Sequence, residues 1–265
     1  MSMSKDTDES LIARNIRPAD IKCLSPMASE WWNAKSGPMY TLHDMNEMRI
    51  EFVIDGLIET NVLKSWQKSE PNVFQGLQIM DLGCGGGILV EALAKRKAQV
   101  TGLDPNEALI EVAREHIAPQ EDIRDNVRYC LETIEDHCVK YPNHYDAIVC
   151  SEVLEHVLDK KSLLEAAAKS LKPGGSIFMT TFNKTFSSWF LGVLWGEWIL
   201  GIIPRGCHSF SLFISPEDVM KILEKSGCRR GKLSGIFYNF LFRIWHVHSW
   251  TGFHYFLQAV KDKTE

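Results

Sequence analysis

Residues 80–88, Met-Asp-Leu-Gly-Cys-Gly-Gly-Gly-Ile, decide the fold of this chain. The apolar run 77–82 predicts a short buried strand, and the amphipathic run 88–97 after the glycines predicts a helix. A glycine-rich turn from a strand into a helix is typical of doubly wound α/β sheets, which bind ligands beyond the carboxyl ends of their strands. This stretch therefore predicts both the kind of sheet and the place of the binding site.

The same alternation of short apolar runs and amphipathic helices continues around this stretch. Helices are predicted at 47–64, 106–116 and 162–171, and strands at 99–103, 127–131, 145–150 and 176–181. An apolar stretch to about 214 then precedes a helix opened by Ser215 and strand-like segments near 231–238 and 253–260. We therefore expect a doubly wound, mostly parallel sheet of seven strands, with a hydrophobic insertion after strand 5.

The composition of the 265-residue chain is that of a globular protein, with 45% hydrophobic and 24% charged residues. A net charge of −5 removes the electrostatic reason to expect nucleic-acid binding. The seven cysteines include no C-x-x-C pair, so we expect reduced thiols and no disulfide framework. Length and the absence of repeats predict one domain at 29–265, with the insertion at about 183–214, after a disordered tail at 1–28.

The glycine loop lacks the patterns that bind phosphates. A dinucleotide fingerprint would need glycine at position 88, where the chain has Ile, and no G-K-[ST] follows the loop. Asp104 ends the next predicted strand, where a carboxylate can accept hydrogen bonds from both hydroxyls of a ribose. The pattern indicates a nucleoside ligand, and the alternative is a tight turn beside a surface Asp.

The run Asp81–Gly87 together with Asp104 resembles the S-adenosylmethionine site of class I methyltransferases, which have a Rossmann-like fold. The resemblance covers about residues 77–181 and implies that Asp104 holds the ribose of the cofactor. It implies further that Asp81 and Gly83 lie by the amino-acid end, and that residues 132–134 border the adenine.

Three side chains that could bind a metal follow the predicted strand at 145–150. Glu152, Glu155 and His156 stand at i, i+3 and i+4, so a helical turn would place them on one face. Two carboxylates and an imidazole can ligate Mg²⁺, Mn²⁺ or Zn²⁺, and such a cation would stabilise a phenolate for methylation. The spacing leaves open the alternative that the acids and the histidine orient a substrate, or act as a base, without metal.

A closer resemblance, over nearly the whole chain, is to the ubiquinone-biosynthesis O-methyltransferases. It rests on stretches outside the general cofactor core, which include 30–32, 42–49, 150–157, 182–189, 204–208, 213–217 and 235–239. The resemblance implies methylation of catechol-type hydroxyls of polyprenyl-dihydroxybenzoate and demethylubiquinol intermediates. It implies Mg²⁺ or another divalent cation at Glu152, Glu155 and His156. With the first resemblance, the expected cofactor-binding set is Arg49, Asp81, Gly83, Gly85, Asp104, Thr133 and Ser151.

Two alternatives to this function remain at this point: methylation of another small lipophilic phenol, and a non-catalytic S-adenosylmethionine-binding scaffold. The candidate bases that could take the proton of a phenol are His43, His156 and His208. Trp31, Trp32 and Tyr40 could form a lid over the cofactor. We assign no chemistry to His246, His248 and His254.

The insertion contains a strongly apolar segment, Trp189–Ile203, in which Glu197 is the only charge. Fifteen residues are fewer than the roughly 20 needed to span a bilayer. Three tryptophans between flanking cations suit a helix in the membrane interface, and the alternative is a buried helix or a dimer contact.

The resemblance favours peripheral membrane association through about 184–205 and a place in a ubiquinone-biosynthesis multi-enzyme complex. It implies the matrix face of the mitochondrial inner membrane in a eukaryote, or the periphery of the cytoplasmic membrane in a bacterium. The acidic start of the chain fits a mitochondrial transit peptide poorly.

Overall fold

The computed structural model describes residues 15–17, 23–188 and 210–263. The strands are β1 (Gln78–Leu82), β2 (Gln99–Asp104), β3 (Val127–Leu131), β4 (Tyr145–Ser151), β5 (Leu171–Phe182), β6 (Cys228–Asn239), β7 (Ile244–His248) and β8 (His254–Lys261). The longer helices are α1 (Tyr40–Glu59), α2 (Ile88–Lys95), α3 (Glu107–Ile117), α4 (Ile134–Lys140), α5 (Lys160–Ser170) and α6 (Pro216–Lys225). Short helical turns lie at Ser25–Glu30, Ser65–Ser69, Arg124–Asn126, Leu154–His156, Phe186–Ser188 and Phe210–Leu212.

The eight strands form one sheet in the order β3-β2-β1-β4-β5-β8-β6-β7. Strands β1 to β5 pair in parallel, whereas β8 pairs antiparallel with both β5 and β6. The expected mostly parallel, doubly wound sheet is confirmed. The strand order reverses between β1 and β4, so their carboxyl ends flank the point where such sheets bind ligands.

Alternation within the strands divides the core into two layers. Neighbouring side chains of a strand point to opposite faces of the sheet. Ile79 belongs to the apolar cluster that includes residues of α1 and α2, whereas its neighbour Met80 belongs to the cluster that includes residues of α5 and α6. Ile148 and Val149 divide between the two clusters in the same way. Helices therefore cover both faces of the sheet and leave its carboxyl edge for the site.

Several boundaries differ from the sequence predictions. The sheet has an eighth strand, β7, which pairs only with β6 at the edge of the described sheet. Helix α1 begins at residue 40 rather than 47, and α4 is a helix that the sequence analysis did not predict. The turn Ser25–Glu30 overlaps the end of the expected tail at 1–28, and Ser25 Oγ is hydrogen-bonded to Asn106. The extent of the tail stays a prediction.

Two further expectations bear on the chemistry of the chain. Cys23 is disulfide-bonded, so the expectation that all cysteines are reduced is wrong. The cysteines at 84, 130, 138, 150 and 228 are free thiols. Within the described ranges, no helix combines the length and the apolar character needed to cross a membrane. The apolar segment 189–203 lies outside the described residues.

Candidate active site

A cavity of about 380 Å³ opens at the carboxyl edge of the sheet. Its wall includes the glycine loop after β1, the end of β2, the loop after β3 and the turn after β4. Phe182, Tyr238 and Trp245 contribute an aromatic side to the same cavity. The predicted site residues that line it are Arg49, Asp81, Gly83, Gly85, Asp104, Thr133, Ser151, Glu152, Glu155 and His156.

Asp104 fixes the glycine loop through backbone hydrogen bonds. Its Oδ2 accepts from the backbone N–H of Gly85 at 2.9 Å, and its Oδ1 accepts from the N–H of Asn106 at 2.8 Å. Gly87 precedes α2 as its N-cap with a φ of +90°, and a Cβ there would lie 2.2 Å from the hydroxyl of Tyr129. The turn into α2 therefore requires glycine at position 87.

Three buried charges lie side by side at the cofactor end. Burial raises the pKa of Asp81 to about 7, although the nearby Arg49 opposes this shift. Burial also raises the pKa of Asp104 to about 6, against two backbone N–H donors that favour its ionised form. Burial lowers the pKa of Arg49 to about 10, which leaves it charged at neutral pH. Asp81 is thus poised to ionise when a cation binds beside it.

Arg49 is anchored from three directions. It donates to the carbonyl oxygen of Leu42 at 2.9 Å, to Oδ1 of Asn46 at 2.5 Å and to Oγ of Ser151 at 3.2 Å. Ser151 Oγ in turn lies 2.8 Å from Thr180 Oγ1. These contacts connect α1, which carries Arg49, to the ends of β4 and β5 at the cavity.

The tryptophans before α1 lie over the glycine loop. Trp31 is buried in the cavity wall, where a Cβ on Gly86 would lie 2.4 Å from its ring. The indole N–H of Trp32 donates to the carbonyl oxygen of Gly86 at 2.9 Å, and its ring stacks on His116 at 3.5 Å. Tyr40 also lines the cavity, so all three predicted lid residues lie near the cofactor end or its opening.

The turn that carries the predicted metal ligands is not α-helical. Glu152 has a φ of +58°, and residues 154–156 form a 3₁₀ turn. The predicted helical face is therefore wrong, although Glu152, Glu155 and His156 all line the cavity. Glu155 is fully buried, and its Oε2 accepts from the hydroxyl of Thr181 at 2.8 Å.

A different group of possible metal ligands lies closer together. Among the described residues, the ligand atoms of Cys130, Glu132 and His137 all lie within 4.8 Å of one another. Both ring nitrogens of His137 are engaged, with Glu132 Oε1 and with the hydroxyl of Tyr145, each at 2.7 Å. We therefore assign no ion to this group. The ligand atoms of Glu152, Glu155 and His156 are not gathered to this extent.

Of the other candidate bases, the structure describes His43, which lies beside the tryptophans before α1. His43 is not among the cavity-lining residues, because its Nε2 lies 3.0 Å from the carbonyl oxygen of Trp31 and its ring meets the edge of Trp32. The role of His43 as a base stays a prediction. His208 lies outside the described residues.

Sequence reasoning missed His254, which lines the cavity and contacts Glu152 at 2.7 Å. It also missed the pair of Tyr238 and Asp44, in which the hydroxyl donates to Oδ2 at 2.5 Å. No local pattern marks these residues. The register of β8 against β5 and the packing of α1 near β6 bring them together, and these become visible only in three dimensions.

Comparisons with known proteins agree with this geometry. Residues 54–230 match the family model described as a methyltransferase domain. The crystal structure of magnesium protoporphyrin IX methyltransferase from Synechocystis PCC 6803 with bound SAM matches with a TM-score of 0.58, at 15% identity, over 99% of this chain and 100% of that chain. The fold, the glycine loop and Asp104 together define an S-adenosylmethionine-dependent methyltransferase of class I.

Curated relatives narrow the class. The ubiquinone biosynthesis O-methyltransferase of Vibrio atlanticus (strain LGP32) is 36% identical over 227 residues, which are 86% of this chain and 88% of that protein. The mitochondrial protein of the same name from Homo sapiens is 35% identical over 93% of this chain, and the chain spans 65% of its length. The chain belongs to the ubiquinone biosynthesis O-methyltransferase family.

The raised pKa of Asp81 predicts that cofactor affinity rises with pH. Below pH 7 the Asp81 carboxyl is mostly protonated, so if the cofactor's ammonium binds beside it, as the sequence analysis predicts, binding releases a proton. The α-amino group itself stays charged to a pKa of about 7.7–8.0. We expect S-adenosylmethionine to bind roughly tenfold more tightly at pH 7.5 than at pH 5.5, measured by calorimetry in two buffers that differ in ionisation enthalpy.

The Asp81→Asn variant is the control for this pH dependence. It removes the group with the higher pKa and should leave only the smaller dependence that Asp104 contributes around pH 6. An affinity of the unaltered chain that is constant from pH 5.5 to 7.5 contradicts the assignment.

Proposed function

We propose that the chain transfers the methyl group of S-adenosylmethionine to a catechol-type hydroxyl of polyprenyl-dihydroxybenzoate and demethylubiquinol intermediates. The proposal rests on one observation: a single cavity is lined both by the predicted cofactor residues and by residues suited to an acceptor. The glycine loop and Asp104 line one part, and Glu152 with the aromatic side chains of Phe182 and Trp245 lines another. Such a cavity can hold a methyl donor beside a lipophilic ring. The names of the Vibrio and human relatives support the substrate class.

Positioning supplies most of the rate in this proposal. Asp104 accepts hydrogen bonds from the ribose, residues 132–134 border the adenine, and Arg49 with Asp81 holds the amino-acid end. The methyl group then faces the acceptor part of the cavity, where the phenol oxygen bonds to the methyl carbon in line as the carbon–sulfur bond breaks, and the phenol proton passes to a base or to solvent. A transfer between two oriented reactants avoids the entropy cost of bringing them together, which can amount to about 7–11 kcal/mol. The sulfur leaves as a neutral thioether, so its departure needs little acid catalysis.

We include Mg²⁺, or another divalent cation, in the proposal. The donor set fits such an ion, since Glu152, Glu155 and His156 offer carboxylate oxygens and an imidazole on one side of the cavity. When bound, the ion would favour the ionised form of the acceptor hydroxyl and fix its oxygen. In the alternative without an ion, His156, which lines the cavity, is the candidate base among the described residues.

We also propose peripheral membrane association through residues 184–205. The start of this segment lies beside the cavity, because Ser188 Oγ donates to the carbonyl oxygen of the cavity-lining Phe253 at 2.8 Å. In the same stretch, the side chain of Phe186 is 76% exposed. A membrane contact here would place the cavity near a polyprenyl tail in the bilayer. Flotation of the chain with substrate-loaded vesicles tests this contact.

Location follows from the organism in which the chain works. By similarity to the mitochondrial and bacterial relatives, we place it at the matrix face of the mitochondrial inner membrane in a eukaryote or at the periphery of the cytoplasmic membrane in a bacterium. In either setting we propose membership of a ubiquinone-biosynthesis multi-enzyme complex.

Methyl transfer to a short-tailed polyprenyl dihydroxybenzoate tests the proposed function. We expect turnover with labelled S-adenosylmethionine, at least tenfold loss after EDTA treatment, and recovery on adding Mg²⁺. Turnover that does not respond to EDTA would exclude the cation. Cofactor binding without turnover would favour another lipophilic phenol or a scaffold role, and a panel of phenols separates these two.

A further inference from the structure

We propose that His254 is a positioning residue that holds the carboxylate of Glu152 at the acceptor side of the cavity, in the orientation in which it binds the divalent cation. This inference rests on the proposed function and goes beyond its ligand set, which does not include His254. It stands on three observations: the contact itself, the way in which the imidazole is fixed, and the backbone of Glu152.

The contact is short and joins distant parts of the chain. Nε2 of His254 donates to Oε1 of Glu152 at 2.7 Å, and both residues line the cavity. A carboxylate has about four lone-pair sites, so one or two protein donors leave room for a further ligand. His254 can therefore orient Glu152 without excluding a cation from it.

Ring packing fixes the imidazole. His254 is only 2% exposed, and its ring stacks on Phe182 at 4.6 Å with an interplanar angle of 18°. Trp245 meets the same ring edge-on at 5.5 Å. His254 is also in register with Phe182 in the β5–β8 ladder, so its backbone is held by the sheet.

The backbone of Glu152 is fixed in an uncommon conformation. Its φ of +58° is in the left-handed region, and its N–H donates to the carbonyl oxygen of Thr180 on β5 at 3.0 Å. Glutamate in this conformation costs free energy, and such strain concentrates at functional sites. The conformation turns the chain immediately after β4 and keeps the Glu152 side chain within reach of His254.

Donors and a positive charge surround the Glu152 carboxylate. His254 and the Thr180 hydroxyl are hydrogen-bonded to it, and the charge of Arg49 lies nearby. Hydrogen-bond partners of metal ligands typically contribute about 10–100-fold to metal affinity.

A purely structural role would predict a different behaviour. Replacing a buried polar pair by well-packed apolar residues is often neutral for stability. If His254 served only to pack against Phe182, a leucine would substitute for it with little effect on ligand binding. If His254 positions Glu152, a side chain that supplies an N–H donor should restore cation binding, and an apolar side chain of similar volume should not.

The test is a titration of the chelator-treated full chain with Mn²⁺, in the presence of S-adenosylmethionine, followed by the electron paramagnetic resonance signal of the free ion. The variants are His254→Leu and His254→Gln, and the matched control is His246→Leu on the exposed strand β7. We expect His254→Leu to weaken Mn²⁺ binding by at least 10-fold and to lower kcat, with the Kd of S-adenosylmethionine within about twofold of its original value. His254→Gln should recover most of the Mn²⁺ affinity, and the control should match the unaltered chain.

The outcomes separate this proposal from the proposed function. Unchanged Mn²⁺ affinity in a folded His254→Leu variant overturns the role of His254 and leaves methyl transfer untouched. No Mn²⁺ binding by the unaltered chain overturns both the cation and the role of His254, and the methyl-transfer assay still decides the activity. If His254→Leu does not fold, the His254→Gln variant decides, because weak binding in a variant that keeps a donor contradicts positioning by hydrogen bonding.

Discussion

The Asp104→Ala variant is expected to bind S-adenosylmethionine about 100-fold more weakly than the unaltered chain, which corresponds to roughly 2.7 kcal/mol. The change removes the proposed acceptor for the ribose hydroxyls. It also leaves the N–H groups of Gly85 and Asn106 without the carboxylate that they now contact at 2.9 and 2.8 Å. Each unsatisfied buried donor costs about 1–3 kcal/mol, so the glycine loop loses its bound conformation as well.

Calorimetry with S-adenosylmethionine measures the effect of Asp104→Ala. Asp104→Asn keeps one acceptor oxygen and should lose only about tenfold in affinity. Asp125→Ala, in which the altered side chain is 89% exposed, is the control and should bind normally. A loss of less than threefold in Asp104→Ala would show that Asp104 neither holds the ribose nor shapes the loop.

The Arg49→Met variant should lose about 3–5 kcal/mol of folding free energy at pH 7.5 and fail to bind the cofactor. Arg49 is buried among acids, and its removal leaves Asp81 and Glu152 without its positive charge. The cost should be smaller at pH 5.5. Asp81, whose pKa is already raised to about 7, is mostly neutral there and no longer needs the cation.

Urea unfolding at the two pH values tests the Arg49 prediction. The control is Arg96→Met, which removes an arginine whose partner Glu47 is 78% exposed. Such surface pairs contribute at most about 1 kcal/mol. Equal losses of unfolding free energy in Arg49→Met and Arg96→Met would mean that Arg49 contributes no more than a surface cation. A larger loss at pH 5.5 than at pH 7.5 would contradict the assignment of Asp81 as its partner.

The cofactor half of the site was predictable because its signals are local. The glycines, Asp81 and Asp104 lie at the ends of strands that alternate strongly with helices, so sequence spacing alone places them at one edge of a sheet. The strand Val127–Leu131 agrees with its prediction at both ends.

The acceptor half was less predictable because its contacts join distant segments. The contact of His254 with Glu152 depends on β8 entering the sheet antiparallel beside β5, and no periodicity within residues 253–260 determines that register. The turn at 152–156 was misjudged for a different reason. A spacing of three and four residues suits an α-helix, but a left-handed residue at 152 and a 3₁₀ turn bring the same residues to the cavity by another path.

The segment between β5 and β8 begins and ends at one point, where the N–H of Asn183 donates to the carbonyl oxygen of Phe253 at 2.8 Å. Residues 183–253 contain both the insertion and the β6–β7 hairpin. The entropy of closing a flexible loop grows only with the logarithm of its length, so doubling the length of such a loop costs about 0.6 kcal/mol. Evolution could therefore change acceptor specificity by lengthening or exchanging the insertion, provided that α6 and β6 keep their packing, while the methyl-donor half retains its sequence.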